Sequence, residues 1–271
     1  MYTILAPLIL ASFTDDFSTL DTSRWGKHSA PSTMSEQAVI VPSSSSQTTP
    51  KSALKTALNT LSTNQGSRNE IQAINSADNF NVNSTYFIKV VFKIVRHDYH
   101  PVLNSSPYSW MSFFQTHSVP GPVGNPNWNN NSGRNPITII ETENNNIAVA
   151  VNTTPVVTGI APGGALANIV WKMPMSAIPS ESWMTWVIQL RPSFNADGIV
   201  NVWLNGVNIV SYTGQNLDRF DSAGVAANPF CYMKLGIYKE DNPSYLPGVD
   251  VRYDYVSVQQ SQTLPSNFFT D

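Results

Sequence analysis

Short segments in which apolar and polar residues alternate follow one another along most of the chain. They are rich in β-branched and aromatic residues and cover 84–95, 109–117, 136–142, 146–152, 183–191, 198–212, 231–238 and 250–259. Such alternation is typical of half-buried β-strands. Within 198–212, Asn205-Gly206 stands between two apolar runs, which is the strongest local signal of a hairpin. Helical periodicity is confined to residues 52–61 and predicts one short helix there.

Many short strands separated by loops rich in Pro, Gly, Asn and Ser predict an all-β protein. The spacing favours a β-jelly-roll sandwich of two antiparallel sheets, in which one sheet bends to form a concave groove. No internal repeat or linker-like change of composition divides the chain. We therefore expect a single domain over residues 1–271, with 260–271 as a loosely held tail.

Three predicted strands share an unusual feature, because each has one polar face backed by an apolar face. Side chains two residues apart point to the same side of a strand. The polar faces carry Arg68, Glu70 and Gln72 in the first strand, Gln115 and His117 in the second, and Tyr232, Lys234, Gly236 and Tyr238 in the third. If the three strands are neighbours, these residues line the groove, and Gly236 leaves room for a ligand near the backbone.

A cation, an amide, an imidazole and a phenol are together suited to β-elimination from a uronic acid. Arg68 and Gln115 can bind the carboxylate at C5 and stabilise the charge that develops there. His117 can take the C5 proton while Tyr238 gives a proton to the leaving O4 oxygen. Tyr238 can also do both, depending on the side to which the proton points. The sequence leaves the choice of base open.

Further residues are expected to bind the substrate around these four. Glu70 is interpreted as the partner that orients a cation of the groove, and Lys234 as a contact to the carboxylate of a neighbouring sugar. Trp128, in an Asn-rich loop, is a candidate platform for sugar stacking, and Arg134 lies near that loop as a candidate subsite cation. Gln72 completes the predicted set of substrate-binding residues.

The charge of the chain limits its partners. Only 12% of residues are charged, and the net charge is −3 with a pI near 5.8. This argues against nucleic acid, which requires a basic face, and an acidic polysaccharide would need local cations. One cysteine, Cys231, excludes an intrachain disulfide, and no apolar stretch is long enough to span a membrane. The polar, weakly charged composition suits an extracellular protein or one associated with a virion or cell surface. The oligomeric state stays open.

The three polar strands resemble the motifs of the jelly-roll polysaccharide lyases, which include alginate lyases, glucuronan lyases and heparin lyase I. The matching stretches, in the family's order, are Arg68-Asn69-Glu70-Ile71, Gln115-Thr116-His117 and Tyr232-Met233-Lys234-Leu235-Gly236-Ile237-Tyr238. The resemblance implies a concanavalin-like sandwich and elimination that needs no catalytic cofactor. Some members of these families carry a structural calcium ion, and for such an ion Asp15, Asp16 and Asp254 are candidate ligands.

Two departures bear on the substrate that the resemblance implies. Gln72 stands where alginate lyases usually have a second arginine, and Thr116 stands where they have Ile or Val. A glucuronan- or heparin-like polymer is therefore favoured over alginate.

Two other functions remain open on the same fold. The first is a carbohydrate-binding module without catalysis. The second is a glycoside hydrolase, which would need a pair of carboxylates in the groove. For that pair the sequence offers Glu70 and, further away, Glu141 or Glu143.

Overall fold

The computed structural model of the protein describes residues 12–29, 39–43, 51–58, 68–97, 110–128, 136–143, 146–153, 155, 168–239 and 249–269. These residues form β-strands and the short 3-10 turns Ser76–Asp78 and Met175–Ala177. In chain order the strands are β1 (Ser12–Asp15), β2 (Trp25–Ser29), β3 (Val39–Ser43), β4 (Lys51–Leu58), β5 (Arg68–Ala73), β6 (Phe80–Asn81), β7 (Tyr86–His97), β8 (Trp110–Ser118), β9 (Thr138–Glu143), β10 (Asn146–Val151), β11 (Asn168–Pro174), β12 (Met184–Arg191), β13 (Ile199–Leu204), β14 (Val207–Thr213), β15 (Phe230–Lys239) and β16 (Val249–Gln260).

The strands form two antiparallel sheets. In the first sheet the order is β14-β13-β12-β7-β16-β4-β3, and β1 pairs with the C-terminal part of β16. In the second the order is β11-β10-β9-β8-β15-β5-β2, and β6 pairs with the start of β15. The prediction of an all-β fold with two antiparallel sheets is confirmed. The described part of the chain has no helix long and apolar enough to cross a membrane.

The core lies between the sheets and takes side chains from both. Phe92 of β7 stacks on Trp186 of β12, with ring centroids 6.0 Å apart and planes at 4°. It also lies 6.0 Å from Phe113 of β8, in the opposite sheet. All three rings are fully buried. Burying a side chain of this kind contributes about 1.5–3 kcal/mol, so these contacts fix one sheet against the other.

Residues 51–58 form strand β4, so the helix predicted over 52–61 is wrong for the described part of that segment. β4 pairs with β16 on one side and with β3 on the other. Leu54 is fully buried, and the ammonium of Lys55 lies 3.3 Å from the carboxylate of Asp250. Helix propensity is a weak preference, and pairing with two neighbouring strands together with burial outweighs it.

The hairpin predicted at Asn205-Gly206 is confirmed. These two residues join β13 to β14 and have φ angles of 48° and 81°. Positive φ at both central positions is the type I′ turn, whose twist matches that of the strands it joins.

The prediction of a loosely held tail from residue 260 is wrong for residues 261–269. The backbone N–H of Ser261 donates to the carbonyl of Thr85 at 3.0 Å. Phe268 is 2% exposed and packs against Phe87 and Val187, on the side of the first sheet that faces away from the core. The tail therefore closes a second, smaller apolar cluster.

Candidate active site

The three strands with polar faces are neighbours in the second sheet. β15 lies between β8 and β5 and runs antiparallel to both. Lys234 stands opposite Gln115 on one side and Gln72 on the other. Further along β15, Tyr238 stands opposite Ser112. The three strands therefore adjoin, as they must for their polar faces to form one surface.

A register shift between β8 and β15 sets which residues face outward. Leu235 pairs with Phe114 and Tyr238 pairs with Ser112, so β15 has one more residue than β8 between these pairs. Against β9, β8 itself has an extra residue, because Ser112 pairs with Glu141 and Phe114 pairs with the adjacent Ile140. This bulge shifts the alternation of side chains along β8. Ser112 therefore shares the polar face with Gln115, three residues away, and its Oγ accepts a hydrogen bond from Gln115 Nε2 at 3.1 Å.

A chain of hydrogen bonds joins the three strands across this face. Gln115 Nε2 donates to Glu70 Oε1 at 2.5 Å and to Ser112 Oγ, and Ser112 Oγ donates to the backbone carbonyl of Tyr238 at 3.4 Å. The side chains of Glu70, Gln115 and Ser112 are buried. A hydrogen bond to a buried carboxylate is stronger than one between neutral groups. A ligand carboxylate that binds the Gln115 amide therefore has to displace one of its two acceptors.

Gly236 permits the close approach of β15 to β5. Its φ is 131°, and a Cβ at this position would lie 2.6 Å from Glu70 Cα and closer still to the carbonyl oxygen of Asn69. The absence of a side chain here also leaves clear the region where Gln115 reaches across β15 to Glu70. Gly236 is therefore needed for this close strand contact, and its interpretation as space for a ligand stays a prediction.

His117 presents one ring nitrogen as a base. Its Nδ1 lies 2.7 Å from the carbonyl oxygen of Ser118. A carbonyl only accepts hydrogen bonds, so Nδ1 carries the proton and donates it. In the neutral ring Nε2 is then unprotonated, the form in which an imidazole accepts a proton. The rings of Tyr232 and Trp128 lie 5.9 and 6.4 Å from that of His117, and Trp128 is 47% exposed.

Polar side chains form three levels along the two central strands. From one end to the other, the pairs are His117 with Tyr232, Gln115 with Lys234, and Ser112 with Tyr238. Lys234 is buried, with its ammonium 5.7 Å from the ring of Tyr232. A positive charge at low exposure acts through a lower effective dielectric than one in water. An anion bound between Gln115 and Lys234 would have His117 on one side and Tyr238 on the other.

Glu141 adds a buried carboxyl to the same face. It stands opposite Ser112 on β8 and opposite Ala148 on β10. Burial, and to a smaller extent the charge of Glu143, raise the pKa of Glu141 to about 7. Near neutral pH this carboxyl therefore exchanges between its charged and uncharged forms.

A family model described as polysaccharide lyase matches residues 17–265. The chain belongs to the polysaccharide lyase family. The matched region includes every strand from β2 to β16 and thus all the strands of the site. No match was found among curated proteins.

The fold of this lyase is similar to that of a solved glucuronan lyase. An endo-β-1,4-glucuronan lyase from the fungus Trichoderma reesei is 16% identical, with 92% of this chain and 95% of that chain covered and a TM-score of 0.57. The alginate lyase A1-II′, of polysaccharide lyase family-7, is 16% identical, with 78% and 81% covered and a TM-score of 0.49. The likeness to the glucuronan lyase confirms the predicted jelly-roll fold.

The remaining predicted site residues of the lyase, one catalytic and three substrate-binding, have different places. Gln72 lies beside Lys234, and Trp128 lies beside His117. The backbone of Arg68, at the start of β5, stands opposite Tyr238. Arg134 lies outside the described residues. The roles assigned to these four residues stay predictions.

The candidate calcium ligands of the lyase are engaged with protein groups. Asp15 accepts hydrogen bonds from the backbone N–H of Phe17 at 2.8 Å and from the indole N–H of Trp25 at 2.7 Å. Asp16 accepts one from the N–H of Ser18 at 3.0 Å. Within the described ranges, no three His, Cys, Asp or Glu side chains are grouped so that they could hold a metal ion. Asp15, Asp16 and Asp254 as arranged do not fit a shared ion, and calcium binding stays a prediction.

Sequence reasoning missed Ser112 and gave Glu141 only a minor place. Strict alternation from Gln115 assigns Ser112 to the core because it assumes a strand without a bulge. Gly236, in the strand paired with this part of β8, was the available signal of an irregularity there. For Glu141 the signal was a carboxylate within a strand whose neighbours in sequence are apolar or small.

Proposed function

We propose that this lyase cleaves a polymer of uronic acid by β-elimination. The observation that supports this most directly is the order of levels on the polar face. Lys234 and Gln115 form a level suited to a carboxylate, between the levels of His117 and Tyr238. In a uronic acid the carboxylate is attached to C5, the carbon that must lose its proton, and O4 leaves from the next carbon.

The carboxylate binds at the level of Lys234 and Gln115, with Arg68 as a further predicted contact. Charge moves onto this carboxylate as the C5–H bond breaks, so a cation placed there stabilises the transition state more than the ground state. His117 Nε2 takes the C5 proton when that proton and O4 lie on opposite sides of the ring. The electrons of the C–H bond form the C4=C5 double bond, the C4–O4 bond breaks, and the Tyr238 hydroxyl gives its proton to O4.

Where the C5 proton and O4 lie on the same side of the ring, Tyr238 can serve alone. Its hydroxyl gives its proton to O4 and takes the C5 proton in return. In each case positioned proton transfer accounts for a rate factor of about 10²–10⁴.

We further propose a glucuronan- or heparin-like substrate ahead of alginate. Gln72, in place of a second arginine, and the sequence Lys234-Leu235-Gly236-Ile237-Tyr238 support this order. The substrate would be met outside the cell or at a virion or cell surface, where acidic polysaccharides of this kind occur.

Purified protein should be incubated with glucuronan, heparin-type polymers and alginate while ultraviolet absorbance is followed. Elimination creates a C4=C5 double bond conjugated to the carboxylate, so absorbance rises only if the proposed bond breaks. We expect the fastest rise with glucuronan or a heparin-type polymer. Fastest turnover of alginate would reject the substrate order, and a flat trace with every polymer would reject the uronate proposal.

Membership of the lyase family weighs against both alternative functions, and the site geometry adds a reason against a hydrolase. Glu70 on β5 and Glu141 on β9 are separated by β15 and β8. Three strand spacings amount to about 14 Å. A retaining hydrolase needs its two carboxyls about 5 Å apart. Tyr238→Phe tests the binding-module alternative through turnover. A lyase should lose turnover in the variant while it still binds the polymer, whereas a module should show no turnover before or after the change and bind equally well.

A further inference from the structure

Tyr253 of β16 reaches from the first sheet to the point where β8 and β15 lose register. Its hydroxyl donates to the carbonyl of Phe113 at 2.6 Å and accepts from the backbone N–H of Gly236 at 3.0 Å. Phe113 lies between the regular pairs on β8, and Gly236 is one of the two residues that lie opposite it on β15. One side chain therefore bridges both backbones at the bulge.

The Tyr253 ring is held firmly in the core. It is fully buried, and its centroid lies 5.6 Å from that of Phe92, which itself stacks on Trp186. Burial, with a smaller contribution from the charge of Glu70, raises the pKa of Tyr253 far above the usual range of a phenol. The hydroxyl therefore keeps its proton and stays a donor to Phe113 wherever the protein is folded.

The bulge determines how the levels of the polar face are offset from one another. Gln115 and Lys234 lie on one side of it, and Ser112 and Tyr238 lie on the other. A change in the backbone between them moves Tyr238 relative to Lys234 without altering either side chain. The hydroxyl of Tyr253 is placed to prevent that movement from the core side.

We propose that Tyr253 is a positioning residue of the lyase, whose hydroxyl holds the paired backbones of Phe113 and Gly236 and thereby fixes Tyr238 relative to Lys234 and Gln115. It does not touch the substrate, because it lies on the opposite side of the sheet. The inference rests on the proposed function in taking Tyr238 as the group that transfers protons.

Tyr253→Phe removes the hydroxyl and keeps the ring. The chain provides a matched control in Tyr86, which is also fully buried and whose hydroxyl accepts from the backbone N–H of Asn81 at 2.9 Å. We expect both variants to lower Tm. Only Tyr253→Phe should lower kcat, on the order of 10²-fold, since small misplacements of reacting groups have effects of that size. Its KM should stay within about threefold of wild type, because the carboxylate level is kept.

A kcat of Tyr253→Phe within about threefold of that of Tyr86→Phe would overturn the proposal, as would a loss seen only in KM. The wild-type rate, measured in the same assay, tests the proposed function separately. If Tyr253→Phe fails to fold, amide hydrogen exchange of the wild-type protein provides the test. The Gly236 amide should exchange as slowly as amides of the central strand β7, and exchange at the rate of a surface loop would overturn the proposal.

Discussion

Two buried carboxyls on one sheet face, Glu70 and Glu141, have different surroundings. Glu70 accepts a short hydrogen bond from the Gln115 amide. Glu141 stands between Ser112 and Ala148, and the charged neighbour that affects it is Glu143. Burial and the like charge of Glu143 therefore act in the same direction, and both raise the pKa of Glu141. The same residue type thus has a structural partner in one place and a pH-dependent charge in the other.

Glu141→Gln should change how stability depends on pH. The pKa of Glu141 rises from 4.5 to about 7 on folding, so the folded protein binds more protons than the unfolded chain between these values. Wild type should therefore lose stability as pH rises through this window, by about 3 kcal/mol in total. Glutamine carries no charge, so the free energy of unfolding of the variant should increase relative to that of wild type between pH 5 and pH 8. Urea unfolding at both values measures this, and parallel pH curves would contradict it.

Gly236→Ala should be far more damaging than a glycine substitution at an open position. Its Cβ would meet the β5 backbone at Asn69 and Glu70. Gly206, in the hairpin turn, has φ 81° and nothing within 4 Å of a Cβ, so Gly206→Ala carries only backbone strain of about 1–2 kcal/mol. We expect Gly236→Ala to lose at least about 3 kcal/mol in unfolding free energy and most of the activity. Equal losses in the two variants would show that the strand contact is unimportant.

At the scale of strands, local pattern was sufficient where β-branched and aromatic residues dominate the strand, as in β7 and β12. It failed in β4, where pairing with β3 and β16 outweighs helix propensity. It also failed at the bulge between β8 and β15. That bulge depends on Gly236 fitting against β5 and on Tyr253, which is 140 residues from Phe113 in the chain. Contacts between distant segments have no periodic trace in the sequence, so Ser112 could not be placed from alternation.

The described C-terminal segment should contribute to stability through one side chain. Phe268 packs on Phe87 with ring centroids 6.3 Å apart, whereas its neighbour Phe269 is 40% exposed. Phe268→Ala should destabilise the fold by about 2–4 kcal/mol, as large-to-small changes at buried sites do, and Phe269→Ala by less than half as much. Thermal unfolding compares the two variants. Neither should change turnover, because this cluster lies on the outer side of the other sheet. A Phe268→Ala protein as stable as wild type would show that the tail is not docked.

At the scale of the whole molecule, attraction of an acidic polymer depends on the cations at the site and not on the net charge. A chain of net charge −3 does not attract a polyanion by its overall field. The proposed attraction comes from cations at the site, of which Lys234 is buried and therefore less screened by salt than a surface lysine. Lys234→Met, which keeps a long apolar side chain, should raise KM for a uronate polymer and lower kcat, since carboxylate charge grows in the transition state. A kinetic comparison with wild type measures both effects, and unchanged constants would remove Lys234 from the carboxylate site.

The stereochemistry of the polymer should decide which proton-transfer group matters more. In glucuronan the C5 proton and O4 lie on the same side of the ring, so the Tyr238 hydroxyl can exchange both protons. On this substrate Tyr238→Phe should lower kcat by about 10³-fold and His117→Asn by about tenfold. Tyr232→Phe, on the same face of β15, is the matched control and should keep kcat within about threefold of wild type. Equal, large losses for Tyr238→Phe and His117→Asn would instead make His117 the base and Tyr238 the acid on glucuronan as well.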